Sequence, residues 1–132
     1  LIVRAPGVSK AGLRSEALVE STDLYPTLID LCRPTFQKTQ HPLDGKSMRP
    51  LLSGASPSVR DASVSWWKDS VSVRTDRYRL VSTRPLAAPT RVELYDLVAE
   101  PVGLRDIAAT EPEKVKELLE YARARDVVSA SE

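Results

Sequence analysis

The side chains able to do chemistry are few and scattered. His41 is the only histidine, so the chain holds no His-based catalytic triad and no histidine pair for zinc. Beside Pro42, it reads as a solvated loop residue. Asp23, Asp30 and Asp44 lack the oxygen spacing of an EF-hand loop. They read as a helix start, a solvated helix face and a turn. Cys32 is the single cysteine, which excludes an intrachain disulfide. It is expected to be a half-buried structural thiol at a helix C-terminus. No glycine loop is built to cradle phosphate. The most concentrated feature is Trp66-Trp67-Lys68-Asp69. On a strand, neighbours point to opposite faces. Val64 and Trp66 therefore share one face, and Ser63, Ser65 and Trp67 share the other. One Trp is expected in the core under a helix, the other exposed at a hairpin tip. Arg74, Arg77 and Arg79 form a basic cluster on strand faces and a turn, where exposed charge is the usual reading. Arg74 could pair with Asp76 or Glu93.

Composition narrows the class. The 132 residues give room for one domain, or one small domain plus a donated segment. Nineteen basic residues against eighteen acidic ones leave a net charge of +1. That excludes the strong basic field of a nucleic-acid binder and a polybasic membrane patch. No apolar run approaches the roughly 20 residues of a membrane span.

The elements that must position these residues fall into two halves. Leu1-Ile2-Val3 followed by Pro6-Gly7 reads as a buried strand closing in a turn, of the kind found inside parallel sheets. The rest of the chain offers it no good partner, so the chain is expected to be the tail of a larger protein. Ser21 or Thr22 is predicted to cap a helix running to Cys32, with Leu24, Leu28 and Leu31 as its apolar stripe. A polar loop spans 33–46, and a short helical turn through Pro50, Leu51 and Leu52 stops at Gly54. Ala55-Ser56-Pro57-Ser58 is the best boundary, giving residues 1–55 and 56–132 as two domains. Beyond it the period becomes alternating. Strands are predicted at Ala62–Trp67, Val71–Thr75, Tyr78–Thr83 and Val92–Leu97. Thr110 with Glu113 forms a capping box for a last helix. Its Val115, Leu118, Leu119 and Ala122 fall on one face. The second half is thus an α+β subdomain: a four-stranded antiparallel sheet with a terminal helix on one face.

Five segments, in order, resemble the C-terminal region of type I sulfatases. These are Leu1–Val8, Val19–Leu31, Asp44–Gly54, Val71-Ser72-Val73-Arg74-Thr75-Asp76-Arg77-Tyr78-Arg79-Leu80, and Glu93-Leu94-Tyr95-Asp96-Leu97 with Glu100-Pro101. The likeness extends to about Tyr121 and is closest to iduronate-2-sulfatase-like members. There are departures. The family usually reads Asp-Pro-x-Glu-x-x-Asn-Leu-Ala after its last strand. Here Gly103 stands for the Glu and Asp106 for the Asn. Arg33-Pro34-Thr35 stands where relatives often read Gly-Leu-Pro.

The resemblance implies an alkaline-phosphatase-like α/β parent, with residues 1–55 as the end of its large domain and 56–132 as the subdomain. It implies hydrolysis of sulfate esters by a formylglycine made in a Cys/Ser-x-Pro-x-Arg motif, beside a calcium ion. It also implies a periplasmic, secreted or lysosomal setting. All those motifs lie upstream of the matched segment. Cys32-Arg33-Pro34-Thr35-Phe36 has the Cys and Pro but Phe36 where Arg belongs, and Ser56-Pro57 fails on spacing. No catalytic or metal residue is therefore assigned, and the chain alone is expected to be inactive. Its partners would be an N-terminal catalytic domain and a sulfated small molecule or glycan. Trp67 and Lys68 are the substrate-binding candidates. A Trp face stacks on a sugar ring, and Lys supplies charge for a sulfate or carboxylate. The competing reading gives both Trp residues to an interface between the halves. Two other functions stay open: the tail of a related metal-dependent phosphodiesterase or phosphatase, and a non-enzymatic α+β interaction module.

Overall fold

The computed structural model describes residues 1–35 and 42–129. His41 and Phe36 lie outside the described residues. The chain divides into two units, Leu1–Asp61 and Ala62–Glu132. The division falls after Asp61, so the Ser56-Pro57-Ser58 stretch belongs to the first unit, where Arg60 bonds back to Glu20 and Asp23.

In the first unit, Leu1–Val3 forms no strand. A strand needs a neighbour for its backbone groups, and Ile2 is 99% exposed. A 3₁₀ turn, Ser21–Asp23, leads directly into helix α1, Leu24–Cys32. The cap is Glu20 with Asp23, rather than Ser21 or Thr22: the Asp23 carboxylate accepts the Glu20 N–H at 2.7 Å. A carboxylate bonds more strongly to a backbone N–H than a hydroxyl does. The buried side of α1 is its polar side. Thr27 is buried, whereas Leu24, Tyr25 and Leu28 are exposed. Helix α2, Arg49–Ser53, begins with Pro50 in its first turn and stops at Gly54, whose left-handed φ of 69° suits glycine.

Residues 45–48 are laid against the start of α1 by polar contacts. Lys46 N–H donates to Asp23 Oδ1 at 2.7 Å, and Met48 N–H donates to Thr27 Oγ1 at 2.8 Å. The Thr27 hydroxyl in turn donates to the Asp23 carbonyl at 2.6 Å. Ser47 Oγ donates to Asp30 Oδ2 at 2.8 Å, so Asp30 holds this segment rather than standing solvated. Gly45 is required here by space: a Cβ would lie 2.0 Å from the Thr22 carbonyl oxygen. The Arg60 guanidinium bonds to both Glu20 and Asp23.

The second unit is an antiparallel meander in the order β1-β2-β3-β4: Ala62–Trp67, Ser70–Thr75, Tyr78–Thr83 and Val92–Asp96. One face carries Val71, Val73, Leu80 and Leu94, all essentially inaccessible. Helix α3, Pro112–Ser129, covers that face with Leu118, Leu119 and Ala122. Thr110 does not cap it. The Thr110 hydroxyl donates to the Ile107 carbonyl, and the helix begins at Pro112, an N1 position suited to proline. Tyr121 Oη donates to the Ala62 carbonyl at 3.1 Å, tying α3 to the edge strand.

The β4–α3 loop is held by carboxylates. Asp106 Oδ1 accepts the N–H groups of Leu94 and Ala108. Glu100 Oε2 accepts those of Leu104 and Arg105. Asp106, which departs from the family pattern, thus still satisfies two backbone donors, as an Asn oxygen can. Gly103, the other departure, adopts φ 67°, a conformation costly for any side-chain-bearing residue.

Candidate functional site

The face of the sheet opposite α3 carries Trp67 on β1, Ser72 and Arg74 on β2, Arg79 on β3 and Tyr95 on β4. Strand alternation puts them there, because the intervening Trp66, Val71, Val73, Leu80 and Leu94 point to the core side. The β1–β2 hairpin pairs Trp67 with Ser70, leaving a two-residue turn, Lys68-Asp69. Lys68 takes a left-handed φ of 49°, which a non-glycine residue adopts only where the surroundings hold it. The Asp69 carbonyl is pinned by the Arg84 N–H at 2.8 Å.

Trp67 is 76% exposed at this tip. Trp66 is on the core side but at its rim, 38% exposed. The Arg84 guanidinium lies 5.1 Å from its ring centre and reaches Asp126 of α3 at 2.6 Å. The cation over the ring closes that edge of the core. The structure thus separates the two Trp residues: one is half-covered by a structural arginine, and the other is open beside Lys68.

At the opposite end of the face lies a cleft of about 250 Å³. It is lined by Arg74, Arg79 and Tyr95, with Val81, Leu97 and the 101–103 loop as apolar walls. Arg74 and Arg79 are directly paired across β2 and β3, and Tyr95 is the next partner on β4. Arg79 Nε donates to Ser72 Oγ at 3.2 Å. Arg74 pairs with neither Asp76 nor Glu93. The Glu93 carboxylate is taken by Arg91, the residue just before β4. Partial burial, then the hydrogen bond and charge of Glu93, push the Tyr95 phenol above its ordinary pKa. Tyr95 therefore stays neutral at physiological pH, with its hydroxyl turned to Glu93. Arg77, the third member of the cluster, is not in the cleft. It makes a two-nitrogen contact with Asp96, at 3.0 and 2.8 Å.

The sequence reading missed this cleft. The signal was present, since Arg74 and Arg79 fall on one face once the tight Asp76-Arg77 turn sets the register. Alternation alone, however, does not show which arginines lack carboxylate partners.

The residues here do not fit the calcium site or the formylglycine of a sulfatase centre. Among the described residues, no three of His, Cys, Asp and Glu converge to hold a metal ion. Cys32 is exposed rather than half-buried, because it ends α1 one turn beyond the exposed Leu28.

The open Trp ring and the arginines on this face are groups able to meet sugars and anions. The family described as N-sulphoglucosamine sulphohydrolase, C-terminal, matches residues 1–125. Arylsulfatase K of Gallus gallus is 32% identical over 94% of this chain, which covers 25% of that protein. N-acetylglucosamine-6-sulfatase of Bos taurus is 45% identical over 56 residues, 42% of this chain and 10% of that protein. Among solved structures, Ps i-CgsB superposes with a TM-score of 0.66 over 90% of this chain and 26% of its own, at 17% identity. BT4656, solved with its substrate D-glucosamine-2-N,6-O-disulfate, superposes at 0.60 over 78% and 23%, at 20% identity. The fold is thus that of the C-terminal region of alkaline-phosphatase-like sulfatases. The chain spans about a quarter of the length of Arylsulfatase K and of these two structures. It belongs to the sulfatase family, in the group described as N-sulphoglucosamine sulphohydrolase, C-terminal.

Proposed function

We propose that the chain is the C-terminal portion of a sulfatase that hydrolyses sulfate esters of sulfated sugars. The observation that carries this is the family match over residues 1–125. An upstream catalytic domain would supply the formylglycine nucleophile and the calcium ligands. The exposed Leu24, Tyr25 and Leu28 of α1 would pack against it, each apolar side chain gaining about 1.5–3 kcal/mol on full burial. The isolated chain would then have no turnover.

Trp67 and Lys68 would form part of the rim of the substrate cleft. The open Trp ring offers a stacking face for a sugar, and Lys68 offers charge to its sulfate or carboxylate. The relatives' names support a sulfated glucosamine as substrate, and the sequence's iduronate-2-sulfatase-like look supports a sulfated uronate. In the longer protein, the initial rate on glucosamine 6-sulfate against iduronate 2-sulfate separates the two. Trp67→Ala and Lys68→Ala there should raise KM with kcat little changed. Unchanged KM with a lowered melting temperature would assign the pair to structure instead. Sulfate release by the purified 132-residue chain would overturn the proposed division of labour.

A further inference from the structure

We infer that Arg74, Arg79 and Tyr95 form a second anion-binding site, which takes a sulfate or carboxylate borne on a sugar of the same glycan. The inference rests on the sulfated-sugar reading above but concerns a different place on the sheet. Trp67 pairs with Ser70, and Arg74 lies four positions further along β2, about 14 Å at strand rise.

Two guanidinium groups directly opposite each other in a ladder repel. Such a pair is usually relieved by a carboxylate. Among the described residues, none forms an ion pair with Arg74 or Arg79. Arg79 spends one N–H on the Ser72 hydroxyl, a neutral acceptor. The remaining N–H groups of both forks stay available, and a planar fork matches the paired oxygens of a carboxylate or sulfate. The Tyr95 phenol lies at the same spot, kept neutral by partial burial and by its hydrogen bond to Glu93, so it adds no negative charge to oppose an anion. Val81 and Leu97 give the cleft apolar walls against which the C–H face of a sugar ring can rest. At about 250 Å³ the cleft is smaller than a typical drug-sized pocket. It therefore suits the charged end of one sugar rather than a whole oligosaccharide. Gly103 keeps it open: any side chain there would start 3.3 Å from Leu97 and lie along Tyr95. With a net charge of only +1, the chain has no diffuse field to account for anion binding, so binding would have to be local.

The test is a titration of the ¹⁵N-labelled full chain with a heparin tetrasaccharide at physiological salt, reading the Arg Nε–H signals. The Arg74 and Arg79 signals should shift saturably, while that of Arg77, engaged by Asp96, should not. Arg74→Gln and Arg79→Gln should each weaken binding roughly tenfold or more, the usual loss for a charged hydrogen-bond donor. Unmoved Leu80 and Leu94 amide signals would show that these variants still fold. A desulfated tetrasaccharide that keeps its carboxylates and binds at the same site supports the proposal and names the carboxylate as the group held. Inorganic sulfate binding as tightly as the tetrasaccharide would overturn the sugar assignment. Wild-type affinity in both Gln variants, or equal shifts at every exposed arginine, would overturn the site. No turnover is read, so absence of sulfatase activity in the longer protein would sink the earlier reading and leave this measurement standing.

Discussion

Asp23→Asn should loosen the first unit far more than one atom's change suggests. The Asp23 side chain is fully inaccessible and serves three partners: the Glu20 N–H, the Lys46 N–H and the Arg60 guanidinium. Asn keeps the shape and one acceptor oxygen, but it brings an NH₂ that must face one of these donors. It also removes the charge opposing Arg60, a side chain itself only 6% exposed. Breaking a buried ion pair by removing one partner costs about 3–5 kcal/mol. Glu20 still meets Arg60, which places the loss near the lower end, about 3 kcal/mol. At about 1.4 kcal/mol per factor of ten, local opening should become roughly 100-fold more frequent. The readout is native-state hydrogen exchange of the Lys46 and Met48 amides, both bonded to the start of α1. They should exchange about two orders of magnitude faster, while the Leu80 and Leu94 amides of the sheet keep their wild-type rates. Unchanged exchange at Lys46 would refute the assignment of Asp23 as the node that holds 45–48 to the helix.

Two further outcomes follow from the same geometry. Gly45→Ala puts a Cβ 2.0 Å from the Thr22 carbonyl oxygen and 2.5 Å from its carbon, both backbone atoms that cannot rotate away. The segment must lift, so the melting temperature should fall, with a cost of about 1–3 kcal/mol, and a wild-type melting temperature would show the contact is not tight. The Asp96 carboxyl is held down to about 2, first by its hydrogen bonds from Arg77 and then by the Ala99 and Val98 N–H groups. Its folded pKa lies below the unfolded value of roughly 3.9, so its contribution is complete above about pH 4 and disappears as pH falls toward 2. The gap in urea midpoint between wild type and Asp96→Asn should therefore be present at pH 7 and close near pH 2, whereas a gap independent of pH would exclude the ion pair as its source.

The second unit was nearly readable from its residues, and the first was not, for a physical reason. In the sheet, side-chain period coincides with what is buried. Val71, Val73 and Leu80 alternate with Ser72, Arg74 and Arg79, and the tight turns leave one register. The strand bounds predicted by alternation match to within a residue at each end. The helix face Leu118, Leu119 and Ala122 is likewise the buried one. In α1 the same logic points to Leu24, Leu28 and Leu31, yet the side chain buried there is Thr27. Hydropathy cannot see that a hydroxyl and a carboxylate are satisfied by backbone donors 21 and 23 residues away. The Arg74–Arg79 cleft was hidden by a related blind spot. Sequence shows three arginines in six positions, and only the fold shows that Asp96 takes Arg77 while no carboxylate among the described residues takes the other two.

The two units therefore rest on different kinds of force. The sheet and α3 bury nine apolar residues in one cluster. Among its described residues, the first unit buries only Met48 and Leu51 of its apolar side chains, alongside Asp23, Thr27 and Arg60. Hydrogen bonds and a buried ion pair fix geometry well but contribute little net free energy, because water serves the same groups in the unfolded chain. The apolar surface that could stabilise the first unit is present but turned outward, at Ile2, Leu24, Tyr25 and Leu28. A polar inside and an apolar outside is the arrangement of a segment shaped to be covered. On the proposed function, the catalytic domain is the cover. Its binding would add the hydrophobic term to a geometry that the Asp23 network has already set.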